Sequence, residues 1–304
     1  MAKGPFARNP WSLDVSGGFA SPLAANLISG ADLIVGWGCA LNMWTMRHGR
    51  LIAEDAVVVQ VDLEAGALGT HRDLAFGVVG DVRRTAEPVS AAVGHPATTG
   101  CRTAEVLAAI RQRVRWRDVP FQDPGAAGRI DPRALTIALD DLLPAERVVA
   151  VDSGNFMGYP SMFLDVPDEF GFCFTQSVGL GLSTAIGAAL ARPDRLSVAA
   201  LGDGGALMGA SELGTVVRLG LPMVVVVHND DGYGAEVHHF GPGGQPLDTV
   251  RFPETDLAAI ARGYGFEAVT APSVEDLAPV ADWVAGPRAA PLLIDAKVAT
   301  DEPS

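Results

Sequence analysis

Apolar segments of strand length alternate with segments of helical periodicity along most of this chain. The clearest such unit begins with an apolar run at 196–201 and continues with helically spaced apolar residues over 206–219. It ends with a β-branched run at 223–227, which is typical of a strand buried on both faces of a parallel sheet. Gly220 and Pro222 mark the end of the predicted helix. The pattern therefore predicts a strand, a helix and a second, parallel strand.

The same alternation outside this unit predicts two sheets and a connecting segment. Predicted strands lie at 31–38, 56–61, 76–79, 148–151, 266–269 and 291–296, and predicted helices at 21–27, 133–142, 183–191, 256–264 and 274–284, with another from 82 onward. Pro120, Pro124 and Gly125 break a polar segment between the two sets. We therefore predict an α/β fold with two Rossmann-like parallel-sheet domains, at 1–118 and 131–304, joined by a linker at 119–130.

Acidic residues follow both strands of the clearest unit. Asp203 lies in a Gly-Asp-Gly-Gly turn, and Asp230 lies in an Asn-Asp-Asp-Gly cluster. Because the carboxyl ends of parallel strands meet at one edge of a sheet, we expect the two side chains to lie close together. Two carboxylates suit Mg²⁺, and the backbone N–H groups of Gly204, Gly205 and Ala206, at a helix start, suit a diphosphate. The alternative is an ordinary turn with solvated aspartates, which either half of the pattern alone would leave open.

This pattern resembles the thiamine-diphosphate motif of the acetolactate synthase and benzaldehyde lyase-like superfamily. The shared features are Gly-Asp-Gly, a helix containing Glu-Leu-Gly-Thr-Val-Val-Arg at 212–218, an apolar strand, Asn-Asp, and then Tyr-Gly. The resemblance implies a thiamine-diphosphate-binding fold for the second domain. It also implies that Asp203 and Asp230 bind Mg²⁺ through their side chains and Gly232 through its carbonyl. The cofactor-binding residues that it implies are Gly154, Asn155, Gln176, Val178, Gly202, Gly204, Gly205, Ala206, Tyr233 and Gly234.

Two of these assignments come from the segment at 174–191, which resembles the family's GxMGFGLPAAIGA sequence. There the resemblance implies that the Gln176 carbonyl accepts a hydrogen bond from the 4′-amino group of the cofactor. It also implies that Val178 is the apolar wedge that bends the cofactor, although valine is smaller than the family's more common methionine or leucine. Gly154 and Asn155 occupy a turn that approaches the diphosphate in the family. A simple strand-to-helix turn is the alternative at that position.

Histidines near the motif are further candidates. His238 and His239 follow it in a segment that lies near the substrate channel in the family, where a titrating imidazole could move protons. The alternative is that one or both are solvated loop residues. His228, at the end of a buried strand, is interpreted as structural. The pattern does not indicate a zinc site, because two of the three histidines are adjacent and no further ligand pattern accompanies them.

The first domain resembles the second half of the superfamily's central domain, so we predict a partial central domain at 1–118. Gly36-Trp37-Gly38 lacks a third glycine at dinucleotide-binding spacing, which argues against bound nicotinamide or FAD. No segment of this sequence resembles the pyrimidine-binding domain, which carries the family's catalytic glutamate. The resemblance therefore implies a split enzyme, in which a separate subunit supplies that domain within an α₂β₂ hetero-oligomer. The alternatives are a longer chain from which the missing half was removed and a degenerate relic.

The reaction implied by the resemblance is an acetolactate synthase-like carboligation. It would start from a 2-oxo acid or an acyloin, proceed through an enamine, and use small 2-oxo acids or aldehydes as substrates. A 2-oxo acid decarboxylase subunit is one alternative, because cofactor-binding motifs do not separate the two reactions. A non-catalytic binding or regulatory subunit is an alternative of a different class.

Charge and cysteine content narrow the partners and the compartment. The formal net charge of −14 argues against binding to nucleic acid or to an anionic membrane, since either requires a basic face. The three cysteines form no Cys-x-x-Cys motif, which fits a reducing compartment. The sequence shows neither a secretory signal core nor an apolar run of membrane-spanning length. We therefore expect a soluble, cytoplasmic chain.

Overall fold

The computed structural model describes residues 3–94, 100–123 and 128–300. The chain divides into two compact units, Arg8–Val119 and Pro120–Ser304, and the segment Ala2–Ala7 clusters with the second unit. The domain assignment from sequence had placed that segment in the first domain. The described part of it is held by Lys3, which is buried and whose Nζ donates to the Ser161 carbonyl at 2.9 Å. Residues 124–127 of the predicted linker, which include Pro124 and Gly125, lie outside the described residues.

The first unit contains a parallel sheet with the strand order β1-β2-β3. Its described strands are β1 (Leu33–Trp37), β2 (Val57–Asp62) and β3 (Phe76–Val79), and its described helices are α1 (Pro22–Ser29), α2 (Val82–Val93) and α3 (Ala104–Arg113). Each helix starts after a residue whose side chain accepts a hydrogen bond from the first turn, namely Ser21, Asp81 and Thr103. The α/β class predicted for this part of the chain is confirmed.

The second unit contains a larger parallel sheet with the strand order β5-β4-β6-β7-β9-β8. Its described strands are β4 (Arg147–Val151), β5 (Phe172–Phe174), β6 (Leu196–Gly202), β7 (Val224–Asn229), β8 (Glu267–Ala271) and β9 (Leu292–Lys297). Its described α-helices are α4 (Pro132–Leu142), α5 (Gly158–Phe163), α6 (Gly181–Ala191), α7 (Asp203–Met208), α8 (Ser211–Arg218), α9 (Gly234–Phe240), α10 (Leu257–Tyr264) and α11 (Ala278–Ala285). The fold class predicted from sequence is confirmed here too.

The core of this unit explains why its central strands consist of continuous apolar runs. Every residue of β4, β7 and β9 is buried, because helices cover both faces of a parallel sheet. One face packs α6, α8 and α10 onto the sheet through a cluster that includes Leu182, Leu201, Leu213, Val225 and Leu257. The strand ends are therefore held on a rigid support.

One predicted helix differs in the structure. The sequence predicts a single helix over 206–219, whereas the structure has α7 and α8. α7 begins directly after β6, and Gly209 and Ala210 separate the two helices. A Cβ atom at Gly209 would lie 3.2 Å from the carbonyl oxygen of Gly179, so a neighbouring loop approaches the chain where the helix is interrupted. Helical periodicity continues through the break, which is why the sequence pattern does not reveal it.

No helix in the part of the chain that the structure describes is both long enough and apolar enough to span a lipid bilayer.

Candidate cofactor and metal site

The two predicted carboxylate ligands lie at the carboxyl ends of neighbouring strands. β6 pairs with β7 so that Gly202 lies opposite His228, and Asp203 and Asp230 follow these strands. The Asp203 Oδ2 atom accepts a hydrogen bond from the backbone N–H of Gly232 at 2.9 Å. The structure therefore brings the glycine turn after β6 into direct contact with the loop after β7.

Both carboxylates of the pair have pKa values well above the ordinary range of an aspartate. Burial and, to a lesser extent, the neighbouring charge of Asp230 raise the pKa of Asp203 to about 7, against hydrogen bonds from the backbone of Gly204 and Gly232. Burial, with a smaller contribution from the charge of Asp231, raises the pKa of Asp230 to about 6, although the charge of Arg129 opposes the increase. Asp203 is buried and Asp230 is partly buried, and two carboxylates in such surroundings resist ionisation unless a cation accompanies them. Their electrostatics therefore suit a divalent cation.

The glycines of the motif allow close approach of neighbouring groups. A Cβ atom at Gly205 would collide with the carboxylate of Asp152, and one at Gly234 would collide with the carboxylate of Asp230. Gly204 is similarly pressed against the ring of Tyr233. Alanine at any of these positions would displace a group at the sheet edge. Of the remaining predicted residues of the turn, Gly202 and Ala206 are partly buried.

The loop after β7 is fastened to a distant segment. Gly232 forms an antiparallel bridge with Arg251, and the Tyr233 N–H donates to the Val250 carbonyl at 2.8 Å. The ring of Tyr233 packs edge-on against that of Phe252, with ring centroids 4.8 Å apart. These contacts join Gly232, Tyr233 and the start of α9 to the segment at 250–252.

The turn after β4 borders the same region. Asn155 lies beside Gly234, since a Cβ atom at Gly234 would be 3.2 Å from the Asn155 Cβ. Phe156 stacks on His228 with ring centroids 5.1 Å apart, and a Cβ atom at Gly154 or Gly202 would lie 3.0–3.2 Å from the Phe156 ring.

Burial lowers the pKa of His228 to about 4, against a hydrogen bond with the backbone of Leu201, so the imidazole of His228 is neutral at pH 7. This environment agrees with the structural interpretation of His228.

The loop that carries Gln176 and Val178 is anchored by Asp152. This residue is fully buried, and its Oδ2 atom accepts from the Gly179 N–H at 2.7 Å, while its Oδ1 atom lies 3.3 Å from the Thr175 hydroxyl. Gln176 has a left-handed backbone with φ of 55°, and the Val178 side chain is 40% exposed. Asp152 therefore joins the ends of β4 and of this loop to Gly205 of the motif.

Sequence reasoning did not select Asp152 as a site residue. A signal for it was present, because Asp152 follows a predicted strand in the same way as Asp203 follows β6. It also did not select Arg129, whose guanidinium forms an ion pair with Asp231 in the loop after β7. Nothing local identifies Arg129, because it lies in the predicted linker.

The two candidate histidines differ in their exposure to solvent. Both lie in the last turn of α9, where His238 is partly buried and His239 is exposed. His238 is four residues after Gly234, so the two residues lie on the same face of α9. His239 packs edge-on against the Phe240 ring, with centroids 4.8 Å apart. The two histidines therefore differ in exposure, and a catalytic role for either stays a prediction.

The donor set is compatible with Mg²⁺ but does not form a complete cage. Within 3–94, 100–123 and 128–300, no three His, Cys, Asp or Glu side chains gather as metal ligands. Mg²⁺ is commonly held by one or two carboxylates, with phosphate oxygens and water completing the octahedron. Asp203 and Asp230, with the carbonyl of Gly232, fit that mode of binding.

Curated relatives of this chain are enzymes of related chemistry. It is 27% identical over 281 residues to a probable sulfoacetaldehyde acetyltransferase of Rhizobium meliloti, covering 82% of this chain and 46% of the relative. It is 27% identical to the acetolactate synthase large subunit of Parasynechococcus marenigrum (88% and 44% covered) and 26% identical to benzoylformate decarboxylase of Pseudomonas aeruginosa (92% and 51%). The chain thus spans about half the length of these relatives.

A solved structure and a family model complete the comparison. The fold matches that of the thiamine diphosphate-dependent 4-hydroxybenzoylformate decarboxylase of Rhodococcus jostii RHA1 with a TM-score of 0.71 and 21% identity, over 92% of this chain and 51% of that one. The model of the thiamine pyrophosphate enzyme C-terminal TPP-binding domain matches residues 152–296, which include β6, β7 and the carboxylate pair. The predicted resemblance is therefore confirmed for residues 152–296, which match the TPP-binding domain of thiamine-diphosphate-dependent enzymes.

Proposed function

We propose that this chain anchors the diphosphate of thiamine diphosphate through Mg²⁺ in an acetolactate synthase-like carboligase. The observation that carries the proposal is a pair of carboxylates at one sheet edge, of which Asp203 is buried and Asp230 partly buried. Asp203 accepts a hydrogen bond from Gly232, in the loop that carries Asp230, and all three residues lie within the matched domain. When bound, thiamine diphosphate supplies a thiazolium carbon that adds to a carbonyl and stabilises the negative charge left by decarboxylation or cleavage. A 2-oxo acid or an acyloin is the proposed donor substrate.

In this proposal the chain's residues have separate tasks. The metal is held by Asp203, Asp230 and the Gly232 carbonyl. The diphosphate binds to the Gly-Asp-Gly-Gly segment at the end of β6 and the start of α7. Asp152 fixes the loop that carries the Gln176 carbonyl, the proposed acceptor for the amino group of the pyrimidine. Val178 supplies the apolar surface against which the cofactor bends.

A plain 2-oxo acid decarboxylase is the second candidate function. The relatives named above include both a benzoylformate decarboxylase and an acetolactate synthase subunit at similar identity. The two reactions differ in whether a proton or a second carbonyl captures the reacting carbon, and both use the same metal and diphosphate site.

We further propose that the pyrimidine-binding domain comes from a partner chain in an α₂β₂ assembly. One observation supports this proposal. The small sheet of the first unit exposes large apolar side chains, with Leu33, Val57 and Phe76 between 48% and 64% exposed. The partner would contribute the glutamate that activates the cofactor.

Calorimetric titration with Mg²⁺ and thiamine diphosphate tests the function. We expect the chain alone to bind the pair in a metal-dependent manner, because the diphosphate ligands belong to this chain. Tighter binding and turnover of 2-oxo acids should appear only when a chain with a pyrimidine-binding domain is added. Product analysis with and without an aldehyde acceptor then separates carboligation from decarboxylation. An absence of binding in both samples would contradict the proposal and favour the alternative of a non-catalytic binding or regulatory subunit.

The histidine pair provides a further prediction. In the active assembly, His238→Ala is expected to lower turnover about tenfold or more, because a positioned imidazole typically contributes at least that much to proton transfer. His239→Ala is the matched control, since His239 is exposed on the same helical turn and should change turnover by less than about twofold. Comparison of steady-state turnover in the two variants decides the point, and equal losses would contradict a specific role for His238.

A further inference from the structure

Asp231 lies between two of the proposed metal ligands, and its backbone conformation sets their relative positions. It lies between Asp230 and Gly232 and has a left-handed backbone with φ of 57°, which is uncommon for a residue with a side chain. Its carbonyl accepts from the Phe252 N–H at 2.8 Å. Any rotation of the backbone at Asp231 would move the Asp230 carboxylate and the Gly232 carbonyl in different directions.

Arg129 contacts this loop with an arrangement of several hydrogen bonds. Its guanidinium pairs with the Asp231 carboxylate, and Nη1 also donates to the carbonyls of Asn229 at 3.3 Å and Val298 at 3.1 Å. The residue after it, Ile130, donates to the Lys297 carbonyl at 2.8 Å and bridges to Val298. The arginine is thus fixed to an extension of β9 before it reaches the loop.

We propose that Arg129 is a positioning residue of the metal-binding loop, which it holds through Asp231 so that Asp230 and Gly232 present their oxygens at the spacing that Mg²⁺ requires. This inference rests on the proposed function of the site. It concerns geometry, because the contacts of Arg129 with Asn229, Asp231 and Val298 fix the loop. The charge of Arg129 also lowers the pKa of Asp230, and that charge by itself would repel a cation.

The pair differs from an ordinary surface salt bridge. The side chain of Asp231 is 18% exposed and that of Arg129 is 32% exposed, and the guanidinium has three protein acceptors at once. Arginine presents several donors in a rigid plane, whereas lysine offers a point charge that cannot span these acceptors. We therefore expect Arg129→Lys to bind Mg²⁺ with thiamine diphosphate more weakly than the unmodified chain but more tightly than Arg129→Gln.

Metal selectivity distinguishes positioning from a simple loss of stability. Mg²⁺ requires nearly ideal octahedral geometry at short distances, whereas Ca²⁺ accepts longer and more variable ones. A loosened loop should therefore lose Mg²⁺ affinity while retaining Ca²⁺ affinity. In calorimetry with thiamine diphosphate on the full chain, we expect Arg129→Gln to weaken Mg²⁺-dependent binding about tenfold, the range for groups that orient metal ligands. We expect Ca²⁺-dependent binding to fall by less than about threefold.

Arg192→Gln is the matched control. Arg192 is also 32% exposed and pairs with Asp194, but it lies before the amino end of β6, at the opposite edge of the sheet. It should leave both affinities unchanged. The double variant Arg129→Gln/Asp231→Asn should bind Mg²⁺ no more weakly than the weaker single variant, because both changes break the same contact.

Binding by the unmodified chain tests the proposed function, and binding by the Arg129 variants tests the positioning role of Arg129. If the unmodified chain binds no Mg²⁺ with thiamine diphosphate, the proposed function fails and the inference fails with it. If the unmodified chain binds and Arg129→Gln binds equally well, only the inference is overturned. Equal losses for Mg²⁺ and Ca²⁺, or additive losses in the double variant, would also overturn it.

Discussion

Asp203→Asn is expected to reduce Mg²⁺-dependent binding of thiamine diphosphate by about 100-fold, or about 2.7 kcal/mol. The side chain lies 4% exposed at the end of β6, where water does not screen its charge, so its attraction for a cation is strong. Asparagine preserves the shape and an oxygen that can accept from the Gly232 N–H, but it removes the charge. The expected loss therefore reports the charge and not a collapse of the loop.

Calorimetric titration of the full chain measures this loss. Asp194→Asn is the matched control, because Asp194 is an exposed aspartate at the opposite edge of the sheet and its neutralisation changes net charge equally. Circular dichroism should show the same fold for both variants. Unchanged Mg²⁺-dependent binding in Asp203→Asn would refute the assignment of Asp203 as a metal ligand.

The second expected effect concerns stability in the absence of metal. The pKa of Asp203 is about 7 in the native chain and near 3.8 when unfolded, so the native state holds more protons at this site between these pH values. The free energy of unfolding must therefore decrease as pH rises from about 4 to 7, by on the order of 4 kcal/mol from this group at pH 8. Asp230, whose native pKa is about 6, acts in the same direction.

Comparison of the metal-free chain with Asp203→Asn isolates this contribution. In urea unfolding, the two proteins should agree within about 1 kcal/mol at pH 4, and the variant should be about 2–4 kcal/mol more stable at pH 8. His228 acts in the opposite direction, since its lowered native pKa makes stability rise with pH between about 4 and 6.5. That contribution is present in both proteins and cancels in the difference. A difference that does not depend on pH would contradict the buried-carboxylate account.

The pH dependence also links this property to function. Because protons and Mg²⁺ compete for the same carboxylates, Mg²⁺ affinity should decrease as pH falls below about 7. The charge that destabilises the metal-free site is therefore expected to strengthen its binding of a cation.

Local patterns in the sequence determined the elements around the site. The apolar run of β6, the Gly-Asp-Gly-Gly turn and the β-branched run of β7 are contiguous signals, and the rule for parallel strands places Asp203 and Asp230 at one edge. The break at Gly209 was missed because helical periodicity continues across it. The α-helix α9 was missed because its sequence resembles a turn followed by polar residues.

Only the tertiary structure identified the residues that hold this edge together. Asp152 meets Gly179 across 27 positions, and Arg129 meets Asp231 across 102 positions. Neither contact has a spacing or a composition that marks it in the chain, because each depends on where separate strands and loops come to lie in the folded domain. The sequence alone therefore predicted which groups would bind a metal and a diphosphate. The folded structure decided which of them are buried, how their pKa values shift and what fixes their positions, because burial and long-range contacts exist only after the sheet has formed.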